Sequence, residues 1–289
     1  MSRFLNRDFF MVNFNGNIQD NSGILIENNR GFLFGDSVFE TLKVVNGKVL
    51  FLEDHYFRLM ASMRVCRMEI PMSFTMEFLE EQILKLIPFI KKSNAYRIRF
   101  SVFRKEGGLY NPKTREIDFL ISGASLLSTQ YQISNDDYEI ELYKDAYITK
   151  QLFSTLKTNN KMIQIAGSIF AEENDYKNCL LLNDEKNVVE ALQSNVFMKM
   201  GNTLITPPLS DGCLNGIMRK QILAIAKRIE GLVIEEKSIS PFDLQKADEL
   251  FLTNTIVGIQ PITKYRKKLF EISISHEILK RLNAQILLN

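Results

Sequence analysis

Strand-like and helix-like segments alternate along the first hundred residues of this 289-residue chain. Phe39–Val45 reads as a strand and runs into Asn46-Gly47, a strong signal for a tight β-hairpin. Glu53–Met68 and Thr75–Ile87 instead repeat their apolar residues at helical spacing. Tyr96–Phe103 alternates again with a period of two. The sequence therefore predicts a first region in which strands enclose two helices.

The Tyr96–Phe103 strand has two unlike faces. Its even-numbered positions are apolar, whereas Arg97 and Arg99 share the opposite face. Successive side chains of a strand point to opposite sides, so the two arginines are predicted to form a cationic face. Solvated arginines paired with surface acids are the ordinary alternative for such a face.

The chain length and a change in composition predict two domains. A length of 289 residues is long for one compact domain and suits two. The predicted strand Ile117–Ser122 is followed by Gly123–Thr129, which is small, polar and without periodicity. We predict a small N-terminal α/β domain at 1–122, a linker at 123–130 and a larger domain at 131–289.

The second half of the chain is predicted to mix short strands with helices. The predicted strands are Leu180–Asn183, Val188–Glu190, Asn195–Met198 and Thr203–Thr206. The predicted helices are Met162–Glu173, Ile217–Glu230, which Gly231 is expected to cap, and Ser275–Leu288.

Charge and cysteine content argue against several classes of function. The chain has 36 basic and 34 acidic residues, so nothing points to nucleic acid or an anionic membrane as partner. Cys66, Cys179 and Cys213 are far apart, as are His55 and His276, so no metal site is predicted. The first eight residues lack a signal-peptide stretch, and no apolar run approaches the roughly 18 residues of a membrane span. A reduced, cytoplasmic location is expected.

Five polar motifs follow one another along the chain. They are Arg30-Gly31 to Thr41, a lysine in the turn 154–160, a glutamate ending 188–190, a glycine opening 215–219 and a hydroxyl turn at 253–255. An amine, a carboxylate, helix N-terminal amides and hydroxyls are groups that can hold pyridoxal 5'-phosphate (PLP). Their order and spacing resemble the class IV aminotransferases, the fold-type IV PLP enzymes. That family includes branched-chain and D-amino acid aminotransferases and aminodeoxychorismate lyase.

The resemblance implies a fold and an assembly. It implies a mixed α/β protein in which a small N-terminal domain is joined to a larger domain with a barrel-like sheet, with PLP between them. It also implies a homodimer, because residues of the partner's small domain usually complete the substrate pocket. The expected substrate is a small molecule that carries an amine and a carboxylate.

Lys157 is the predicted attachment point of PLP. A lysine that attacks an aldehyde must be desolvated enough to be neutral. Lys157 follows Phe153 and Leu156 and is therefore expected at the end of an apolar strand, whereas Lys161 lies on the polar face of a helix. The family lysine also precedes a polar turn with asparagine three residues on, as Asn160 is here, so Lys157 is favoured over Lys161.

Glu190 is predicted to face the pyridine nitrogen of PLP. The ring withdraws electrons well only when that nitrogen is protonated, which a nearby carboxylate favours. Glu190 follows Lys157 by 33 positions, and Ser194 and Asn195 come after it, as the resemblance implies. A solvent-facing glutamate at a strand end is the common alternative.

The resemblance implies that the cofactor phosphate is held from three directions. The Ile217 and Met218 amides open a predicted helix, Asn254 and Thr255 form a turn, and Arg58 offers a planar fork of donors. Each feature alone also fits an ordinary capped helix, a plain turn or a surface arginine.

The substrate pocket is predicted to include Arg99 and Phe34. Either candidate substrate carries a carboxylate, which calls for a fixed cation. Some of the family's lyases carry an arginine just after the Gly-Gly turn, where this chain has Leu109, and Arg99 is expected to serve instead.

The resemblance favours aminodeoxychorismate lyase, which makes 4-aminobenzoate and pyruvate for folate synthesis. The run Phe39-Glu40-Thr41 and Met218, where most transaminases of the family carry Thr, resemble the lyases. An amino acid aminotransferase of the D-amino acid or branched-chain type is the close alternative. A non-catalytic PLP-binding dimeric scaffold is a remote one.

Overall fold

The structure is a computed structural model that describes residues 11–20, 26–134 and 136–288. The first residues, on which the expectation about a signal peptide rests, lie outside the described part. The chain divides into two compact units. The first comprises Met1–Thr129 and Lys157–Asn160, and the second comprises Gln130–Leu156 and Lys161–Asn289.

The first unit is a six-stranded antiparallel sheet with two long helices packed on it. The strand order is β2-β1-β6-β5-β3-β4. Its elements are β1 (Met11–Phe14), β2 (Asn17–Asp20), α1 (Arg30–Phe34), β3 (Ser37–Val45), β4 (Lys48–Val49), α2 (Leu52–Val65), α3 (Met76–Leu86), β5 (Ala95–Arg104) and β6 (Ile117–Ser125).

One face of this sheet forms the core of the first unit. Val38 and Leu42 of β3 and Ile98 and Phe100 of β5 pack with apolar residues of α2 and α3, and all four are almost completely buried. Thr75 caps α3 by accepting the Phe78 amide at 3.2 Å. The opposite face, with Arg97 and Arg99, is therefore left for other contacts.

The predicted hairpin between β3 and β4 is confirmed. Val44 pairs with Val49 and Val45 with Lys48, so the two-residue loop is Asn46-Gly47. Both loop residues have positive φ, 49° for Asn46 and 80° for Gly47, as a type I′ turn requires. The turn fixes the register of β3 relative to β4.

The second unit has two five-stranded sheets, ordered β12-β11-β10-β13-β14 and β16-β15-β7-β8-β9. Two parallel strand pairs are joined through helices, β7 to β8 by α4 and β11 to β12 by α5. The elements are β7 (Glu139–Ile148), α4 (Met162–Glu173), β8 (Asn178–Asn183), β9 (Val188–Ala191), β10 (Asn195–Met200), β11 (Thr203–Thr206), α5 (Ile217–Ala226), β12 (Val233–Glu236), β13 (Glu249–Asn254), β14 (Gly258–Ile262), β15 (Lys264–Tyr265), β16 (Lys268–Leu269) and α6 (Ile274–Leu288).

Three element boundaries differ from the sequence-based expectations. β6 continues to Ser125, three residues into the predicted linker, because Ala124 and Ser125 still pair with β5. α5 ends at Ala226 with Lys227 as its C-cap, so the cap predicted at Gly231 is wrong. The segment before Lys157 is a 3₁₀ turn, Leu152–Thr155, and the predicted apolar strand there is also wrong.

The apolar face of α4 is only partly covered. Phe170 packs on the cluster around Tyr143. Met162, Ile165 and Ile169 are instead 76%, 52% and 52% exposed. Their spacing of three and four residues makes a continuous apolar stripe along the helix.

Within the described ranges, no helix is both long enough and apolar enough to cross a membrane.

Candidate functional site

The Lys157 segment is hydrogen-bonded to the beginning of β3. The Phe39 amide donates to the Lys157 carbonyl at 2.8 Å, and the Asn159 amide donates to the Ser37 carbonyl at 3.1 Å. The Lys157 side chain is half-buried, with Nζ 4.7 Å from the centre of the Phe39 ring. Partial burial removes some of the water around the amine, which a nucleophilic lysine needs. Lys161, the other lysine considered, is the N-cap residue of α4 in the second unit.

Gly35 makes room for the turn that follows Lys157. It ends α1 in the left-handed conformation, with φ 66°. A Cβ at this position would lie 2.3 Å from Oδ1 of Asn160. Asn160, of the turn after Lys157, therefore packs directly against Gly35, which belongs to the motif from Arg30 to Thr41.

Glu40 is a buried carboxylate that holds two side chains of α2. It accepts hydrogen bonds from Nδ1 of His55 at 2.7 Å, from Nε of Arg58 at 2.8 Å and from Nη2 of Arg58. Burial alone would raise the pKa of Glu40, but the Arg58 charge and the bonds from Arg58 and His55 bring it well below its usual range. Arg58, predicted to bind phosphate, is thus oriented by a fixed carboxylate.

His55 is neutral support for this group. Burial lowers its pKa, and the charges of Arg58 and Lys157 lower it further, against the opposing effect of Glu40. A neutral imidazole that donates through Nδ1 to Glu40 leaves Nε2 as an acceptor, and Nε2 has no partner among the described residues. His55 therefore acts as a structural support for Glu40.

Arg99 lies on the sheet face opposite the core. Its Nη2 donates to Oδ1 of Asn159 at 2.7 Å, and its Nε donates to the Ser101 hydroxyl at 3.1 Å. Its Cζ is 3.5 Å from the centre of the Phe39 ring, which Lys157 also contacts. Burial and the neighbouring Arg97 charge lower the pKa of Arg99 to about 10, so it stays cationic at neutral pH. The first unit therefore places an amine and a guanidinium on one ring.

Phe34 lies at a different place in the first unit. It ends α1, 37% exposed, with its ring 5.9 Å from that of Tyr110. The Cζ atom of Arg30 lies 4.9 Å from the centre of the Phe34 ring. Nη1 of Arg30 donates to the carbonyls of Gly107, Gly108 and Leu109. Phe34 thus packs beside the Gly-Gly turn, and its contact with substrate stays a prediction.

In the second unit, Glu190 lies in β9 and is 8% exposed. Its Oε2 accepts the Leu214 amide at 2.8 Å. The nearby Cys213 thiol is buried, which raises its pKa to about 12, with smaller effects from Glu190 and Asp211. A protonated thiol is a poor nucleophile, so Cys213 is not expected to react. Glu190 is the candidate functional group of this part of the second unit.

The beginning of α5 presents backbone amides. Gly216 is the N-cap residue, and no side chain caps the helix. Asn195 donates from Nδ2 to the Leu214 carbonyl at 2.8 Å, and its Oδ1 would lie 1.9 Å from a Cβ on Gly216. Only glycine fits there. The Ile217 and Met218 amides belong to the first turn, where helix N–H groups have no intrahelical acceptor.

The hydroxyl turn lies beside this helix start through strand pairing. Asn195 of β10 pairs with Thr253 of β13, so Ser194 and Asn254 also come together, with Asn254 Nδ2 donating to Ser194 Oγ at 3.0 Å. The Asn254 Oδ1 accepts the amides of Ile256 and Val257. The buried Thr255 is held by the Tyr131 hydroxyl, which donates to the Thr255 carbonyl at 2.6 Å.

The partners of the predicted residues did not follow from the sequence patterns. Glu40, Asn159 and the Phe39 ring were not singled out for any contact, although all three touch predicted site residues. Glu40 carried a usable signal, because it falls on the same side of β3 as the core residues Val38 and Leu42. A charge at a core position needs a partner.

Comparison with known proteins identifies the family. The model of the amino-transferase class IV family matches residues 37–265. A D-alanine aminotransferase of Listeria monocytogenes serotype 1/2a (strain 10403S) is 29% identical over 239 residues, 81% of this chain and 80% of that protein. A D-alanine aminotransferase of Bacillus licheniformis is 28% identical and covers 87% of each chain.

Solved structures of the family share the fold. The branched-chain aminotransferase of Thermoproteus uzoniensis superposes with a TM-score of 0.84 at 23% identity, covering 96% of this chain and 95% of that one. A Legionella pneumophila protein provisionally named 4-amino-4-deoxychorismate lyase gives a TM-score of 0.76 at 23% identity, covering 89% and 94%. The predicted fold-type IV architecture is confirmed. The chain belongs to the amino-transferase class IV family and is a PLP-dependent enzyme.

Proposed function

We propose that the protein is an amino acid aminotransferase, which moves amino groups between α-amino acids and 2-oxo acids. The observation that carries the proposal is the shared ring of Phe39, 4.7 Å from the Lys157 amine and 3.5 Å from the Arg99 guanidinium. An α-amino acid has its carboxylate on the carbon that bears the amine. Its pocket therefore needs a carboxylate-binding cation close to the reactive lysine.

The residues of the second unit fit PLP. The buried Glu190 suits a protonated ring nitrogen, and the uncapped start of α5 with Gly216 suits a phosphate. Asn195 donates to the Leu214 carbonyl just before that helix start, and Asn254 donates to the neighbouring Ser194. When bound, PLP supplies an electron-withdrawing ring that makes the substrate Cα proton acidic.

Lys157 would hold the cofactor covalently and would move the proton at the substrate Cα. Both tasks need an amine that is neutral part of the time. Glu190 keeps the ring nitrogen protonated. Arg58, held in place by Glu40, is the phosphate-binding residue proposed in the first unit, and the Ile217 and Met218 amides and Thr255 are those proposed in the second.

Arg99 binds the substrate carboxylate in this proposal. Its bonds to Asn159 and Ser101 fix the guanidinium without neutralising it, because neither partner is charged. Phe34 is assigned to the wall of the substrate pocket. This assignment follows the family resemblance.

Aminodeoxychorismate lyase is the second candidate. The cationic sheet face with Arg97 and Arg99 fits a substrate that has two carboxylates, as 4-amino-4-deoxychorismate has. Phe39-Glu40-Thr41 and Met218 favour the lyase as well. The curated relatives quoted above carry aminotransferase names, which places transamination first.

We also propose that the protein forms a homodimer, with the exposed stripe of α4 as part of the contact. A continuous apolar helix face is a usual feature of an interface with a second copy. Light scattering should give the dimer mass for wild type and the monomer mass for Ile165→Lys combined with Ile169→Lys. Val233→Lys, at an exposed apolar position of β12, is the matched control. A wild-type monomer would reject this assembly.

A substrate panel tests the proposed activity. Purified holoenzyme is incubated with D- and L-amino acids plus a 2-oxo acid, and separately with 4-amino-4-deoxychorismate. We expect new amino acid product, detected by chromatography, in the first set. Release of 4-aminobenzoate and pyruvate without amino transfer would establish the lyase instead. A protein that binds PLP but acts on neither set would be a scaffold.

A further inference from the structure

The hydroxyl turn at 253–255 is held in place by Tyr131. The Tyr131 side chain is buried, and its hydroxyl donates to the Thr255 carbonyl at 2.6 Å. The next amide along the chain, that of Ile256, donates to Oδ1 of Asn254 at 3.0 Å. The peptide group between Thr255 and Ile256 is therefore bonded through both its carbonyl and its amide. A planar peptide held at both groups cannot rotate freely, so the backbone at Thr255 is fixed.

Tyr131 is itself held by α6 and β14. Asn283 of α6 accepts the Tyr131 amide through Oδ1 at 3.2 Å and donates from Nδ2 to the Tyr131 carbonyl at 2.8 Å. The ring packs against Gly258 of β14, where a Cβ would lie 2.7 Å from Cγ of Tyr131. Burial raises the pKa of Tyr131 well above its usual range, so the hydroxyl stays protonated and remains a donor.

The helix that holds Tyr131 is also anchored at the other end of β13. Glu249, the first residue of β13, is almost completely buried. Its carboxylate accepts three amides at the start of α6, those of Ser273, Ile274 and Ser275. A negative charge at the start of a helix is favourable, because the amides there have no intrahelical acceptor. α6 therefore supports β13 at its first residue through Glu249 and just beyond its last residue through Tyr131.

We propose that Tyr131 is a positioning residue for the phosphate of PLP. It acts through the peptide that follows Thr255, and it transmits the support of α6 to the turn that carries this residue. Its role rests on the proposed phosphate contact of Thr255 and adds a residue that none of the sequence motifs contains. Positioning strengthens such a contact, because a donor that is already fixed loses little freedom when the anion binds.

The test compares two ligands that differ only in the phosphate. Retention of PLP by the full chain is measured by dialysis with absorbance detection, and binding of pyridoxal is measured by absorbance titration. Tyr131→Phe keeps the ring and removes the hydroxyl. It should weaken PLP binding about three- to tenfold, the loss of one neutral hydrogen bond, and leave pyridoxal binding within about twofold.

Two further variants accompany this measurement. Tyr265→Phe removes another buried tyrosine hydroxyl of the second unit, one that has no hydrogen-bond partner among the described residues, and should bind PLP as wild type does. Asn283→Ala removes both bonds to the Tyr131 backbone and should weaken PLP more than pyridoxal, as Tyr131→Phe does. Circular dichroism gives the unfolding midpoint of each apoenzyme.

A tyrosine that only stabilises the fold would give a different pattern. A lower apoenzyme midpoint in Tyr131→Phe with unchanged PLP affinity would overturn the proposal. Equal losses of PLP and pyridoxal binding would overturn it as well, because the phosphate would then not be the group affected.

Thr255→Val separates the role of Tyr131 from the proposed phosphate contact. If Tyr131 acts through Thr255, the double variant should bind PLP about as weakly as Thr255→Val alone, whereas additive losses would mean that Tyr131 acts elsewhere. If Thr255→Val weakens PLP binding and Tyr131→Phe does not, the phosphate contact stands and the role of Tyr131 is wrong. If only Tyr131→Phe weakens it, the Thr255 hydroxyl is not a phosphate ligand, and Tyr131 positions the turn through its backbone.

Discussion

The two units of this chain present different kinds of groups among the residues predicted to bind PLP. The first unit offers charged side chains, Lys157, Arg58 and Arg99, each placed by a contact with a neighbouring side chain or ring. The second unit offers mainly backbone, at the start of α5, together with the carboxylate of Glu190. Side-chain groups can be replaced one at a time, whereas the amides of a helix start persist while the fold persists. The proposed function therefore assigns reactivity and substrate choice to the side chains of the first unit.

The largest expected effect is at Lys157. Lys157→Ala should lower kcat by roughly three decades or more, because one amine both holds the cofactor and transfers the Cα proton. The activity panel and borohydride trapping followed by peptide mapping measure this. Lys161→Ala is the matched control and should stay active. A label on Lys161 would show that Lys157 is not the attachment point of PLP. The reactive amine would then belong to the second unit, and the contrast between the two units would fail.

Glu40 should dominate the stability of the first unit. Glu40→Gln leaves Arg58 without its buried countercharge, a loss of about 3 kcal/mol, or roughly 6–12 °C in the unfolding midpoint of a domain this size. Circular dichroism on wild type and variant measures it. Glu116→Gln, at an exposed surface pair with Lys105, should shift the midpoint by less than about 2 °C.

The Glu40 contribution should also depend on pH. Because the pKa of Glu40 is lowered on folding from its ordinary value of 4.5, its stabilisation is complete above that pH. It is lost as the pH falls below 4.5 toward the folded-state pKa. The difference in midpoint between wild type and Glu40→Gln should thus be constant from pH 7 to 5 and shrink below. A difference that grows on acidification contradicts the ion pair.

Glu190→Gln should lower kcat by one to two decades. The amide can still accept the Leu214 N–H but gives the ring nitrogen no negative partner. This corresponds to about 1.5–3 kcal/mol for a bond to a charged group. The absorbance of bound PLP should remain, so cofactor content and kcat are measured together. An unchanged kcat would mean that Glu190 only supports the Leu214 turn.

The smallest expected effect is that of Arg58 on cofactor retention. Arg58→Ala should weaken PLP binding by about one decade, the lower end for a charge-assisted hydrogen bond, because the α5 amides are proposed to bind the phosphate as well. Dialysis against dilute PLP with absorbance detection gives the affinity. Arg67→Ala, at an exposed position beyond α2, is the control. Complete loss of PLP would mean that the backbone of the second unit contributes little.

Local sequence patterns were enough for most elements. The Asn46-Gly47 hairpin, α3 and the full length of α4 follow from turn chemistry and periodicity, which act within a few residues. The turn before Lys157 was misread as a strand, because a short apolar run is compatible with either. The exposure of the α4 apolar stripe could not be predicted either. Periodicity identifies an apolar helix face but does not say which residues pack against it.

The amino-acid sequence by itself determined the family, the cofactor and the order of the polar motifs, because spacing along the chain is preserved whatever the fold does. Tertiary structure decided which groups meet. Glu40 and Arg58 are 18 positions apart, and Arg99 and Asn159 are 60 apart, yet each pair is joined by a hydrogen bond. Such contacts depend on strand register and helix packing, which no local pattern encodes.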